Sequence, residues 1–109
     1  MKTKKQMRLK RKLTIRRRLS GTQSRPRMSI FRSNTRLSAQ LIDDEKAVTV
    51  VSSWVKGKNI AAAVKLGETM VSLTKAKKIT SIVFDRSGYR YHGAIKAFAE
   101  TLRSGGLVF

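Results

Sequence analysis

Residues 27–42 read Arg-Met-Ser-Ile-Phe-Arg-Ser-Asn-Thr-Arg-Leu-Ser-Ala-Gln-Leu-Ile, and this stretch decides the fold. Met28 and Ile30 alternate with Ser29 and Phe31, and Leu37, Ala39 and Leu41 alternate with Ser38 and Gln40. A period of two is the signature of strands with one buried face. Ser33-Asn34 supplies turn-forming side chains between the two runs, which predicts an antiparallel hairpin. Working outward, Asp43-Asp44-Glu45 marks a second turn, and Val48 and Val50 alternating with Thr49 and Val51 predict a third strand of the same meander. On the other side Pro26, the only proline, biases Arg25 to extended geometry, and the folded domain is expected over residues 25–109.

Beyond the meander the period changes. Asn59 is a plausible N-cap, and Ile60, Ala63, Val64, Gly67, Met70, Val71 and Thr74 fall on one face of a helix running to about Lys77. Gly67 in mid-helix points to a close approach, expected against the sheet. Ile79 to Phe84 is a β-branched run suited to a buried strand, reached through a helix and therefore parallel to a neighbour by a right-handed crossover. After the loop Asp85-Arg86-Ser87-Gly88-Tyr89, a second helix is expected over His92 to Arg103, with Tyr91, Ile95, Phe98 and Leu102 as its apolar stripe and Gly105-Gly106 as its stop. Leu107-Val108-Phe109 is apolar enough for a short last strand. The fold class is α/β, a mixed sheet in the order βββαβα(β) with helices packed on it.

Charge divides the chain differently. Its 109 residues carry 25 Lys plus Arg against 6 Asp plus Glu, a net charge of +19. Residues 1–42 hold +14 of that and contain no acid, which makes residues 1–24 a basic arm and joint ahead of a milder domain. The arm has almost no apolar surface and is expected to be disordered when free and ordered when bound to a polyanion that neutralises it. The longest apolar run, Ile60 to Val64, is far short of the roughly twenty residues of a spanning helix, and no apolar stretch follows the basic start, so neither a membrane segment nor a secretory signal is expected. The Arg-rich start leaves an organellar transit peptide as an alternative, although Lys is as frequent as Arg in residues 1–20 and no Ser precedes Ser20.

Catalytic chemistry needs convergent groups, and few are available. With no cysteine and a single histidine, there is neither a Cys-based metal site nor a thiol nucleophile. Asp43, Asp44 and Glu45 are adjacent and are read as diverging around a solvated turn, whereas a metal-dependent nuclease needs carboxylates converging on its ions. No phosphate-binding GxxxxGK[ST] loop is present. No enzyme activity, cofactor or metal is expected. Binding groups are better supplied. Lys4, Lys5, Arg8, Lys10, Arg11, Lys12, Arg16, Arg17 and Arg18 of the arm are candidate phosphate contacts, as are Arg25, Arg27, Arg32 and Arg36, with Ser33 and Asn34, at the ends of the hairpin. The competing reading of the hairpin charges is an edge strand kept soluble. After the fourth strand Arg86, Tyr89, Arg90, Tyr91 and His92 combine guanidinium groups, aromatic faces and a helix start, a mixture that clamps phosphates and stacks unpaired bases beyond the carboxyl end of an interior strand. Tyr91 fits the core stripe equally well, and Trp54 reads as core or helix-capping hydrophobe before stacking platform.

Two long motifs then meet a known pattern. Arg25-Pro-Arg-Met-Ser-Ile-Phe-Arg-Ser-Asn34 with Ala39-Gln-Leu-Ile-Asp-Asp44, and Val83-Phe-Asp-Arg-Ser-Gly-Tyr-Arg-Tyr-His-Gly93 with Ala97, Ala99 and Gly106-Leu107, resemble the bacterial family of large-subunit ribosomal protein eighteen. The resemblance covers essentially residues 8–109, including the basic arm, the Gly21-Thr22 joint and Leu66-Gly67-Glu68. It implies a structural protein, not an enzyme, that binds 5S ribosomal RNA, helps attach it to 23S ribosomal RNA, and lies beside other large-subunit proteins in the central protuberance of a cytoplasmic or organellar ribosome. No membrane or small-molecule substrate is implied. It also implies a ribonuclease-H-like topology without catalytic carboxylates. The sequence departs from the pattern at Ser38, where an aromatic is common, at Ser87, where a second glycine is common, and at Ala94 and Val108, where basic residues are usual. A competing class is a basic DNA-compacting protein, which would prefer duplex DNA to folded 5S RNA at matched salt.

Overall fold

The computed structural model of the protein describes residues 4–9, 21 and 25–109. Three strands form the expected meander, β1 (Arg27–Arg32), β2 (Arg36–Asp43) and β3 (Val48–Lys56). They are followed by α1 (Ile60–Ala76), β4 (Val83–Asp85) and α2 (Ala94–Ser104), and residues 4–9 are also helical. The sheet order is β3-β2-β1-β4, with β1–β2 and β2–β3 antiparallel and β4 parallel to β1. The α/β class and the mixed sheet are therefore as read from the sequence.

Alternation does what it should in the hairpin. Met28, Ile30, Leu37, Ala39 and Leu41 all lie inward and are at most 1% exposed, packed with Leu66, Met70, Ile82, Phe98 and Leu102. In β3 the register shifts, so that Leu41 faces Val51 while Ile42 faces Thr49. The extra residue, Val50, reverses the phase: Val50, Val51 and Val55 pack on the core, and of the expected pair only Val48 is exposed.

Asn59 caps α1 as expected, its Oδ1 accepting from the Ala62 N–H at 2.9 Å. The buried face, however, runs through Ala62, Ala63, Leu66, Gly67, Met70, Val71 and Thr74, and Ile60 is exposed. The helix packs on both the sheet and α2, so its buried arc follows two neighbours and not a single stripe. Gly67 makes its close approach to α2, not to the sheet: a Cβ there would lie 2.8 Å from Cβ and Cγ2 of Thr101. Gly67→Ala gains helix propensity of about 1 kcal/mol but must push α2 away, an overpacking cost of about 1–3 kcal/mol. A net loss of stability in urea denaturation is expected; a gain would show that the helix pair is loosely packed.

The fourth strand is shorter than the Ile79–Phe84 run and lies at the sheet's edge, not in its interior. Val83 pairs with Arg27, and the ladder stops there because the preceding residue on the β1 side is Pro26, which has no N–H to give; its carbonyl still accepts from Val83 N–H at 2.9 Å. Ile82 nonetheless has no exposure. The expected last strand reduces to a single parallel bridge between Ser81 and Val108, with Phe109 stacked on Phe84 at 5.5 Å between ring centroids. Helix α2 begins two residues later than expected, because its N-cap Gly93 takes φ 57°, ψ −123°, which leaves Tyr91 and His92 in the preceding turn.

Candidate nucleic-acid interface

The strand faces turned away from the core carry polar and aromatic side chains in register. Phe31 of β1 stands beside Ser38 of β2, and Ser38 beside Trp54 of β3. Phe31 and Trp54 are 49% and 57% exposed. The Arg36 guanidinium lies over the Trp54 ring at 4.4 Å, and Gln40, Ser52 and Lys56 extend the same face. Trp54 was expected in or near the core. The β3 bulge is what turns it outward, and a bulge leaves no mark in a simple alternation count. Phe31 could have been found from sequence, since it occupies the outward phase opposite Met28 and Ile30.

The loop between β4 and α2 is tied to this face. Ser87 adopts φ 56°, a left-handed conformation held by its N–H bond to Asp85 Oδ1 at 2.8 Å and by a hydroxyl contact with Ser29 at 2.9 Å. Serine thus serves in the place where a second glycine was expected. The Tyr89 hydroxyl accepts from the Arg32 N–H at 3.1 Å and donates to the Arg32 carbonyl at 3.2 Å, so the loop closes on the end of β1. Arg8, from the helical residues 4–9, donates to the Ser87 carbonyl at 3.1 Å and places its guanidinium 4.8 Å from the Tyr89 ring centroid. Arg32 approaches the same ring at 5.8 Å. Arm, hairpin and loop therefore meet at Tyr89.

Several expected site residues sit differently. Arg27, read as a phosphate contact, is 7% exposed and is held by both Asp44 and Asp85, at 3.0 and 2.7 Å. Its guanidinium is kept above the ordinary arginine pKa by the Asp44 hydrogen bonds first and by Asp85, against the opposite pull of burial. Of the acidic turn, only Glu45 is solvated as expected. Asp44 holds Arg27, and Asp43 is 4% exposed, its Oδ1 accepting from the N–H groups of Glu45 and Lys46. Ser33 Oγ accepts from the N–H of Arg36 at 3.1 Å, which makes it a turn-forming group. Asn34, Arg25, Arg32 and Arg36 are exposed, and Arg86 is half-buried. Tyr91 is 41% exposed with its hydroxyl 3.4 Å from Arg103 Nη1, so it is not part of the α2 core stripe; His92 is exposed beside it. Lys4 and Lys5 are exposed, while Lys10, Arg11, Lys12, Arg16, Arg17 and Arg18 lie outside the described residues. Among the described residues no cluster of three or more His, Asp or Glu side chains is suited to a metal ion.

Residues 2–109 match the family described as ribosomal L18 of archaea, bacteria, mitochondria and chloroplasts. The chain belongs to the ribosomal L18 family. Curated L18 relatives agree over nearly the full length. The large ribosomal subunit protein uL18 of Lysinibacillus sphaericus is 48% identical across 97% of this chain and 95% of the relative. That of Mycoplasmopsis pulmonis is 48% identical across 95% and 94%, and that of Mesoplasma florum 46% across 98% and 97%. The L18 assignment agrees with a surface that presents exposed aromatics and guanidinium groups.

Proposed function

We propose that this protein binds 5S ribosomal RNA and helps attach it to 23S ribosomal RNA in the central protuberance, beside neighbouring large-subunit proteins. The coarser frame is that of its family: it is a structural protein of the large ribosomal subunit and not an enzyme. The observation that carries the finer reading is the convergence at Tyr89, where arm, hairpin and loop form one surface. RNA modules that bind structured or unpaired segments combine such guanidinium groups with aromatic faces on a sheet. In this reading the arm arginines and lysines and Arg25, Arg32 and Arg36 neutralise phosphates, while Phe31 and Trp54 offer faces for unpaired bases. Arg86, Tyr91 and His92 read the shape of the RNA beside the start of α2. Arg27 is left out, because its guanidinium is already occupied.

Competition binding tests it. Arg86→Ala and Trp54→Ala should each cost about 1–3 kcal/mol against 5S RNA and little against an unrelated structured RNA. Neutralising Arg17 and Arg18 together should weaken both RNAs alike, since phosphate contacts carry no sequence information. Trp54 is a clean probe because its exposure separates binding from folding; Tyr89 is not, because its hydroxyl holds the end of β1. Equal losses for both RNAs in the Arg86 and Trp54 variants would reduce this face to a general phosphate clamp. Footprinting that protects no discrete region of 5S RNA would remove the assignment altogether.

A further inference from the structure

A line of hydrogen bonds joins residues far apart in the sequence. The Gly21 N–H donates to Asp44 Oδ2 at 2.6 Å. Asp44 accepts from Arg27 Nε and Nη2, both at 3.0 Å, and Arg27 Nη1 donates to Asp85 Oδ2 at 2.7 Å. Asp85 Oδ1 in turn accepts from the Ser87 N–H at 2.8 Å. One end is the root of the basic arm, and the other is the loop that carries Arg86 and Tyr89.

The root is clamped rather than merely resting there. The Gly21 carbonyl also accepts from the Asp44 N–H at 3.1 Å, and a Cβ on Gly21 would lie 2.5 Å from both Arg27 N and Ile42 O. Only glycine seats in this position. Apolar residues of similar volume fill a core at least as well as a buried ion triad, since charges taken from water carry a desolvation cost. What they cannot do is hold two backbone N–H groups, those of Gly21 and Ser87, in fixed directions. Arg8 supplies an independent sign of the same arrangement: the helical residues 4–9 already lie on the loop that the triad holds.

We propose that Asp44, Arg27 and Asp85 form a positioning relay that fixes the root of the arm relative to the 85–93 loop, so that the two meet one RNA as a preformed pair. Its consequence for affinity rests on the RNA-binding reading above; its geometry does not. Preformation raises the effective concentration of the arm once the loop is bound, and spares ordering of the arm root on binding. In this arrangement the relay residues act by holding Gly21 and Ser87 and not by contact with RNA. Losing the Asp44 carboxylate also makes the protein more positive, which by itself strengthens attraction to RNA. A loss of affinity on removing Asp44 would therefore run against the change in charge.

The chain has no cysteine, so Met7→Cys with Lys96→Cys, both at exposed positions, places two spin labels uniquely. In the full chain without RNA, the label-to-label distance distribution by double electron–electron resonance should broaden in Asp44→Ala and in Gly21→Ala. It should narrow again in Asp44→Asn, which keeps an acceptor for the Gly21 N–H. Affinity for 5S RNA should then fall about tenfold in Asp44→Ala with the native arm, but less than about twofold when Arg16, Arg17 and Arg18 are alanine. A purely structural role would give the same loss in both backgrounds. Gly21 lies outside every strand and helix, so its variant decides the question if Asp44→Ala fails to fold by circular dichroism. Unchanged distance distributions, or equal affinity losses in both backgrounds, overturn the relay. If the unsubstituted protein does not distinguish 5S RNA from an unrelated RNA, the proposed function falls, and the label distances alone still decide the relay.

Discussion

Arg27→Met is expected to lower the unfolding temperature by more than about 10 °C, corresponding to about 3–5 kcal/mol. The side chain removed is only one part of the cost. Asp85 has no exposure, and without Arg27 its carboxylate would keep the Ser87 N–H but lose its 2.7 Å ion pair. A buried charge deprived of its partner is among the few single changes that reach this size. The sign with pH follows from the raised Arg27 pKa. The stabilisation is fully present below the ordinary arginine value and is lost only as pH rises past the raised one, so the deficit from this group should be constant through the neutral range. Adding Asp85→Asn to Arg27→Met should recover more than half of the loss, because the uncompensated charge is then gone. Thermal and urea denaturation of the single and double variants measure both effects. A single-variant loss below about 1 kcal/mol would mean that water or the arm replaces Arg27 easily.

Affinity for 5S RNA is expected to fall about 10⁴-fold between 50 and 200 mM salt, if about eight phosphates are contacted and the slope of log K against log salt is about −6 to −7. The net charge of +19 and the exposed Lys4, Lys5, Arg25, Arg32 and Arg36 supply enough cations for that number. Filter binding across a salt series measures the slope. One shallower than about −2 would mean that the face around Trp54 and Phe31, and not phosphate neutralisation, dominates binding.

The hairpin was legible because its two runs keep a strict period of two, and a one-residue slip would have exposed Met28, Ile30, Leu37, Ala39 and Leu41 together. The α1 cap was legible for a similar reason: an Asn ahead of an apolar-periodic run has one dominant local use. The interface was half legible. Charge and the Arg86–His92 motif marked the basic and aromatic groups of the candidate surface, but the reading of Trp54 as a core or helix-capping hydrophobe failed, because one unpaired residue in β3 turns it outward. Tyr91 was likewise drawn toward the core by its spacing from Ile95, until the Gly93 conformation set the helix start after it.

The sequence by itself determined the order of the main elements, the concentration of basic residues ahead of Asp43 and the resemblance to its family, since each depends on local pattern or composition. Only the tertiary structure decided which charges face solvent. Arg27 alternates with Met28 on a strand and is chemically identical to Arg25 and Arg32, and nothing near it in the chain marks it for burial. Its partners lie 17 and 58 residues away, at Asp44 and Asp85. Pairing β1 with β2 on one side and with β4 on the other brings both carboxylates to it. In a buried setting, a guanidinium with two carboxylates becomes a structural joint, whereas the same group in water remains free for phosphate.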